Sequence, residues 1–97
     1  MKKKIIEHLL KIGVKPQSKG FGYLVKAIEM TVDNDGVLPS MTKTIYPEIA
    51  KIYGDKANGV ERACRYAKID AEQPYCSLSN GEFIARISLG LKMGKLD

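Results

Sequence analysis

The stretch Ile49–Ala67, IAKIYGDKANGVERACRYA, has the residue spacing of a helix-turn-helix. Ala50 carries only a methyl group, and Gly54, four residues later, can adopt the positive φ with which a helix ends in a tight reversal. After the turn, small or medium apolar residues recur at the three-and-four spacing of one helix face: Val60, Ala63, Cys64 and Ala67. Because small side chains let two helices cross closely, we expect a helix pair around Gly54, with Asp55 and Asn58 capping the second helix.

The second helix of this pair, expected from about residue 57 to 71, carries polar side chains on the face opposite the apolar one. The residues predicted to project outward, or to lie beside or just before this face, are Lys56, Asn58, Glu61, Arg62, Arg65, Tyr66 and Lys68. Side chains of these types bind base edges and phosphates. Residues 56–68 include four basic residues and one acidic residue, and so carry +3 of the net charge of +5. The face predicts a DNA-reading element, although an ordinary amphipathic pair with a solvated face fits the same spacing.

Length and composition describe one globular domain. A chain of 97 residues with 44% hydrophobic and 28% charged residues buries enough surface for a single modest core. No apolar run approaches the roughly 20 residues of a membrane span, and the N-terminus lacks a signal-peptide cleavage site. We therefore expect a cytoplasmic protein with no membrane partner. The net charge favours an anionic partner only weakly, since Lys2, Lys3 and Lys4 supply three of the charges.

Residues for catalysis or metal binding do not form a recognisable pattern. Cys64 and Cys76 make no CxxC motif and have no nearby histidine, so no zinc site is predicted. His8, the one histidine, is expected on the surface or partly buried rather than acting as a base. The DNDG segment over residues 33–36 would place threonines at two calcium-loop positions that need carboxylates, and is predicted to be a turn. We expect no enzymatic activity, no cofactor and no bound metal.

Helical spacing of apolar residues continues through the first third of the chain. The inward side chains of a first helix, over residues 2–12, are predicted to be Ile5, Ile6, Leu9 and Leu10. A second helix is expected from about residue 18 to 32. Gly20 and Gly22 in its first turn disfavour a helix, so they indicate a close contact with another backbone.

The remaining segments complete an all-α pattern. Thr42 or Thr44 is expected to begin the helix that leads to Gly54. Ser79 and Glu82 form a capping box for a last helix. Its apolar stripe is Phe83, Ile84, Ile87 and Leu91. Since no segment alternates with period two, the prediction is an all-α fold: a single-core bundle of about five helices over residues 1–97, with the helix-turn-helix at about 42–70.

A set of short residue groups along the chain forms a specific pattern: Ile12-Gly13-Val14, Lys19-Gly20, Tyr23-Leu24 with Ala27-Ile28, Thr42-Lys43, Tyr46-Pro47 with Ile49-Ala50-Lys51, Val60-Glu61-Arg62-Ala63 with Arg65 and Ala67, and Glu82-Phe83-Ile84-Ala85. This pattern resembles the C-terminal DNA-binding domain of the master response regulator of sporulation initiation in endospore-forming Firmicutes. The resemblance implies a recognition helix that enters the major groove of a short DNA box to activate or repress transcription. It also implies base-reading or backbone-binding roles for Glu61, Arg62 and Arg65.

The chain departs from the family pattern in three ways. Gly59 stands where the family has a DNA-reading arginine, so the target sequence is expected to differ from the family box. The segment over residues 69–79 is shorter than the family's, which carries an extra helix and surfaces associated with RNA polymerase. The length of 97 residues leaves no room for a phosphorylatable receiver domain, which indicates a stand-alone effector.

Two functions of different classes fit these observations. The first is a sequence-specific regulator that binds double-stranded DNA. It is favoured by Glu61, Arg62 and Arg65. The second is a protein-interaction module that pairs with a host sporulation regulator and interferes with it, which Gly59 and the shortened segment favour. RNA polymerase and a second copy of the chain are further partners that the sequence leaves open.

Overall fold

Five α-helices connected by turns make up residues 1–95, the part of the chain that the computed structural model describes. They are α1 (Lys2–Lys11), α2 (Lys19–Asp33), α3 (Tyr46–Tyr53), α4 (Ala57–Lys68) and α5 (Asn80–Lys92). A π-helical turn, Met41–Ile45, leads directly into α3, and a short 3-10 helix, Tyr75–Ser77, lies between α4 and α5. Strands are absent from these residues, so the all-α prediction of about five helices is confirmed.

Helix α2 is the centre of the bundle and contacts each of the other four helices. Its buried residues are Gly20, Phe21, Tyr23, Leu24, Val25, Ala27, Ile28, Thr31 and Val32. They occupy more than one face, which is the pattern of a helix surrounded by others. Burying a large apolar side chain contributes about 1.5–3 kcal/mol, so this one helix supplies much of the free energy that holds the single core together.

The inward face of α1 differs in part from the prediction. Ile5 and Leu9 are fully buried, as expected, but Leu10 is 45% exposed and Ile6 is only partly buried. Leu10 lies five residues after Ile5, which turns it away from the buried stripe. His8 lies three residues after Ile5, on that stripe, and is buried with its ring edge-to-face on Tyr75 at 6.0 Å. The surface or partly buried position expected for His8 is therefore wrong.

The helix boundaries correct two further predictions. The segment before α3 is capped by Ser40, whose hydroxyl accepts a hydrogen bond from the Lys43 N–H, rather than starting at Thr42 or Thr44. Helix α4 ends at Lys68 and not at residue 71. The Ser79 part of the predicted capping box of α5 is confirmed, because its hydroxyl accepts from the Glu82 N–H at 3.2 Å.

The two glycines at the start of α2 have different surroundings. A Cβ at Gly20 would lie 2.0 Å from the Ala63 carbonyl oxygen, so only glycine lets α2 approach α4 backbone to backbone. A Cβ at Gly22 would meet nothing within 4 Å. The predicted close contact is thus confirmed for Gly20 and wrong for Gly22. The contact at Gly20 fixes the start of α2 against the middle of α4.

Candidate nucleic-acid interface

The turn between α3 and α4 has the geometry that the sequence indicates. Gly54 adopts the left-handed conformation, with φ 68° and ψ 37°, and the Asp55 N–H donates to the Ala50 carbonyl at 2.9 Å. Ala50 is buried, and Val60 of α4 is fully buried. The small residue, the glycine and the apolar stripe thus hold α3 and α4 together as predicted.

The polar face of α4 points away from the core. Val60, Cys64 and Ala67 are buried on the opposite side, where burial raises the pKa of the Cys64 thiol to about 12. We call the solvent side the outward face: Asn58, Glu61, Arg62, Arg65 and Tyr66. Four of these are exposed and Glu61 is partly buried, while Lys56 is exposed just before the helix. The predicted separation of faces is therefore found for six of the seven candidate residues.

Lys68 is the exception, and its predicted outward projection is wrong. It is only 7% exposed. Lys68 follows Cys64 by four residues and Val60 by eight, which places it on the buried stripe of α4. Lys68 is therefore not part of the outward face.

Glu61, Arg65 and Tyr66 contact one another on the outward face. The Arg65 Nε donates to Glu61 Oε2 at 3.1 Å, an ion pair between residues four apart on the helix. The Arg65 guanidinium also lies 5.3 Å from the centre of the Tyr66 ring. An exposed pair of this kind contributes only about 0.3–0.5 kcal/mol to stability, so its main effect is to orient the arginine. Because the ion pair uses Nε, a guanine edge can be bound by the terminal nitrogens.

The predicted capping of α4 is not what the structure shows. Asn58 lies inside the helix, and Lys56, the residue at the cap position, makes no side-chain cap. Asp55 instead receives hydrogen bonds from the Lys56 N–H at 2.7 Å and from the Tyr23 hydroxyl at 2.8 Å, and the Lys19 ammonium lies 3.2 Å away. These three donors, the Lys56 N–H foremost, lower the pKa of Asp55 to about 2.

The contacts that α2 and α5 make with the helix pair were not apparent from the sequence. Lys19 and Tyr23 reach Asp55 from α2, across 36 and 32 positions of the chain. Asn80, the first residue of α5, donates to the Glu61 carbonyl and to the Tyr46 hydroxyl, both at 3.1 Å. Pairings over such separations leave no periodic signal in a single sequence.

The geometry of a buried α3–α4 pair with a polar outward face agrees with the comparison with known families. The family described as sporulation initiation factor Spo0A C terminal matches residues 5–73. The chain belongs to this family. Spo0A C-terminal domains are DNA-binding domains of a sporulation regulator and not a family of enzymes. The resemblance stated from the residues is confirmed, and the protein is a DNA-binding regulatory domain of the response-regulator effector type.

The part of the chain that matches the Spo0A C-terminal family contains most of α1 and all of α2, α3 and α4. It thus includes the outward face and the Asp55 contacts with α2. Within residues 1–95, no helix is both long and apolar enough to cross a membrane. The same residues hold no cluster of His, Cys, Asp or Glu that could bind a metal ion.

Proposed function

We propose that this chain is a sequence-specific transcriptional regulator that inserts α4 into the major groove of double-stranded DNA. The observation that carries the proposal is the outward face, which keeps Asn58, Arg62, Arg65 and Tyr66 exposed on a helix whose other side is locked into the core. An α-helix fits the width of the major groove, where each base pair presents a distinct set of donors and acceptors. Membership of a DNA-binding family supports the same assignment.

The side chains of the outward face divide into two kinds of contact. Arg62 and Arg65 present planar forks that can bind guanine through O6 and N7, and Glu61 can accept from a cytosine amino group. Lys56 and Asn58, at the start of α4, are suited to phosphates, which set the register of the helix on the duplex. We expect the arginines to determine the sequence and the residues before them to determine the overall affinity.

Selection of bound duplexes from a random pool tests this function directly. We expect the selection to enrich one sequence that contains G·C pairs. In a gel retardation assay at about 50 mM salt, the protein should bind a duplex of that sequence. Arg62→Ala should lose about 1–3 kcal/mol of binding, mostly at one base pair. The matched control is Arg86→Ala, which removes an exposed arginine from α5 and should bind as the wild type does.

Failure to retard any duplex would overturn the regulator and favour the interaction module. The feature that speaks for that module is Gly59, which offers the DNA no side chain in the first turn of α4. Two inverted half-sites in the selected sequence would indicate binding by two copies.

Activation, as opposed to repression, would require a contact with RNA polymerase. Regulation of transcription would place the protein in the cytoplasm, where the bacterial chromosome lies.

A further inference from the structure

We propose that Asp55 is a positioning residue for DNA reading, which fastens the start of α4 to α2, and that Gly59 is the residue that allows it to do so. We call the group Asp55, Tyr23, Lys19 and Gly59 the Asp55 clamp. The inference rests on the proposed function, because it concerns how the outward face is held in place for base recognition.

The carboxylate of Asp55 bridges the start of α4 and the first half of α2, which are far apart in the chain. It accepts from the Tyr23 hydroxyl at 2.8 Å and pairs with Lys19 at 3.2 Å, both on α2. It also accepts from the Lys56 N–H, at the start of α4, at 2.7 Å. Tyr23 is only 3% exposed and belongs to the central helix of the bundle. The start of α4 is therefore tied to the buried central helix of the bundle.

Gly59 makes room for this carboxylate. A Cβ at position 59 would lie 2.5 Å from Asp55 Oδ1 and 3.3 Å from Oδ2. Any other residue would push the carboxylate away from its donors. Glycine is among the least favourable residues inside a helix. Unlike Gly22, which has open space around it, Gly59 is in the first turn of its helix with a carboxylate where a Cβ would otherwise be.

The position of the Asp55 clamp connects it to base reading. Arg62 and Tyr66 follow Gly59 by three and seven residues, so they lie on the same side of α4. The groove between α2 and α4 is lined by Lys19, Gly20, Asp55, Gly59, Arg62 and Tyr66, among others. Paired hydrogen bonds to a base edge tolerate errors of only about 0.5 Å, whereas contacts with phosphates depend mainly on charge. Loosening the clamp should therefore weaken specific binding more than non-specific binding.

The decisive measurement is the ratio of dissociation constants for a scrambled duplex and for the selected duplex, at one salt concentration. Tyr23→Phe removes a single hydroxyl from the clamp, leaves the ring in the core and does not change the net charge. We expect this ratio to fall about threefold to tenfold, because a less firmly held α4 should lose the equivalent of one hydrogen bond to the bases. Asp55→Asn removes a negative charge and should tighten binding to both duplexes, yet its ratio should also fall.

Thr31→Val is the matched control, because it deletes one hydroxyl of α2 whose hydrogen bond stays within that helix, to the Ala27 carbonyl. It should lower the melting temperature while the ratio stays at the wild-type value. If the wild type discriminates between the duplexes and both clamp variants discriminate equally well, the Asp55 clamp has no positioning role. If the wild type itself does not discriminate, the proposed function fails first and the positioning role falls with it.

Discussion

At the scale of single residues, a neighbouring carboxylate should change the effect of replacing Gly59 on stability. In an unobstructed helix, replacing glycine by alanine contributes up to about 1 kcal/mol of stability. Here the added methyl group would lie 2.5 Å from Asp55 Oδ1. The carboxylate is held by three donors, so moving it out of the way lengthens or breaks these contacts.

We therefore predict that the effect of Gly59→Ala changes sign with residue 55. In the wild-type background, Gly59→Ala should lower the melting temperature. In the Asp55→Ala background, the same substitution should raise it by an amount that corresponds to about 1 kcal/mol. Thermal unfolding of the four proteins, followed by circular dichroism, measures the coupling. Stabilisation by Gly59→Ala in both backgrounds would show that the carboxylate yields freely.

At the scale of helices, Gly20 and Gly22 form a natural pair for testing how α2 packs on α4. Gly20→Ala would bring a methyl group to 2.0 Å from the Ala63 carbonyl. This carbonyl belongs to the backbone, so a change of side-chain rotamer cannot relieve the clash. We predict a destabilisation of about 3 kcal/mol or more, at the upper end of the cost of overpacking, because the clash is with backbone. Gly22→Ala, with nothing within 4 Å, should instead stabilise the domain by up to about 1 kcal/mol.

Denaturant unfolding of the two glycine variants gives the comparison directly. Both substitutions add the same atoms to the same turn of the same helix, so changes in the unfolded chain cancel between them. Equal effects would mean that α2 does not approach α4 as closely as the structure shows.

Local patterns in the sequence predicted the helices better than they predicted the contacts between helices. The stripe through Val60 and Cys64 was found because it repeats within one helix, and Gly54 because a tight reversal requires its conformation. For Lys68 the charge favours the solvent face, but its position in that repeat, four residues after Cys64, puts it on the buried face. The bond from Tyr23 to Asp55 joins residues 32 apart, and no local pattern encodes such a pairing.

At the scale of the whole molecule, α4 is held from several sides while its outward face stays open. Helix α2 contacts it through Gly20 and the Asp55 clamp, α3 packs against it across the turn, and Asn80 of α5 donates to the Glu61 carbonyl. If α4 is the recognition helix, as proposed, this support leaves little to be ordered when it binds, which lowers the entropic cost of association. The bundle would then present its outward face to DNA already in place.

Stability below pH 4 should report on the Asp55 clamp. The pKa of Asp55 is lowered from 3.8 to about 2 in the folded protein, by the Lys56 N–H, Tyr23 and Lys19 in that order. A group with a lowered pKa stabilises the fold above its unfolded pKa and loses that stabilisation as the pH falls through its folded pKa. Between pH 4 and pH 2 the wild type should therefore lose more free energy of unfolding than Asp55→Asn does. Parallel curves of melting temperature against pH for the two proteins would contradict the lowered pKa.

The salt dependence of DNA affinity tests which lysines contact phosphates and which stay buried in the protein. Each phosphate that the protein neutralises contributes about 0.9 to the slope of log affinity against log salt. Lys56 is exposed before α4, so Lys56→Ala should reduce the slope by about 1 if this lysine binds a phosphate. Lys68 is buried, so Lys68→Ala should leave the slope unchanged although it removes the same charge.

The two lysine variants have the same net charge, which makes the comparison independent of any general attraction to DNA. A purely long-range effect of the +5 charge would change both slopes equally. Retardation assays on one duplex at four salt concentrations would give each slope. A smaller slope for Lys56→Ala alone would place the contact at the start of α4. A smaller slope for Lys68→Ala would mean that this lysine leaves the core to meet the DNA, and that the outward face is larger than the free structure shows.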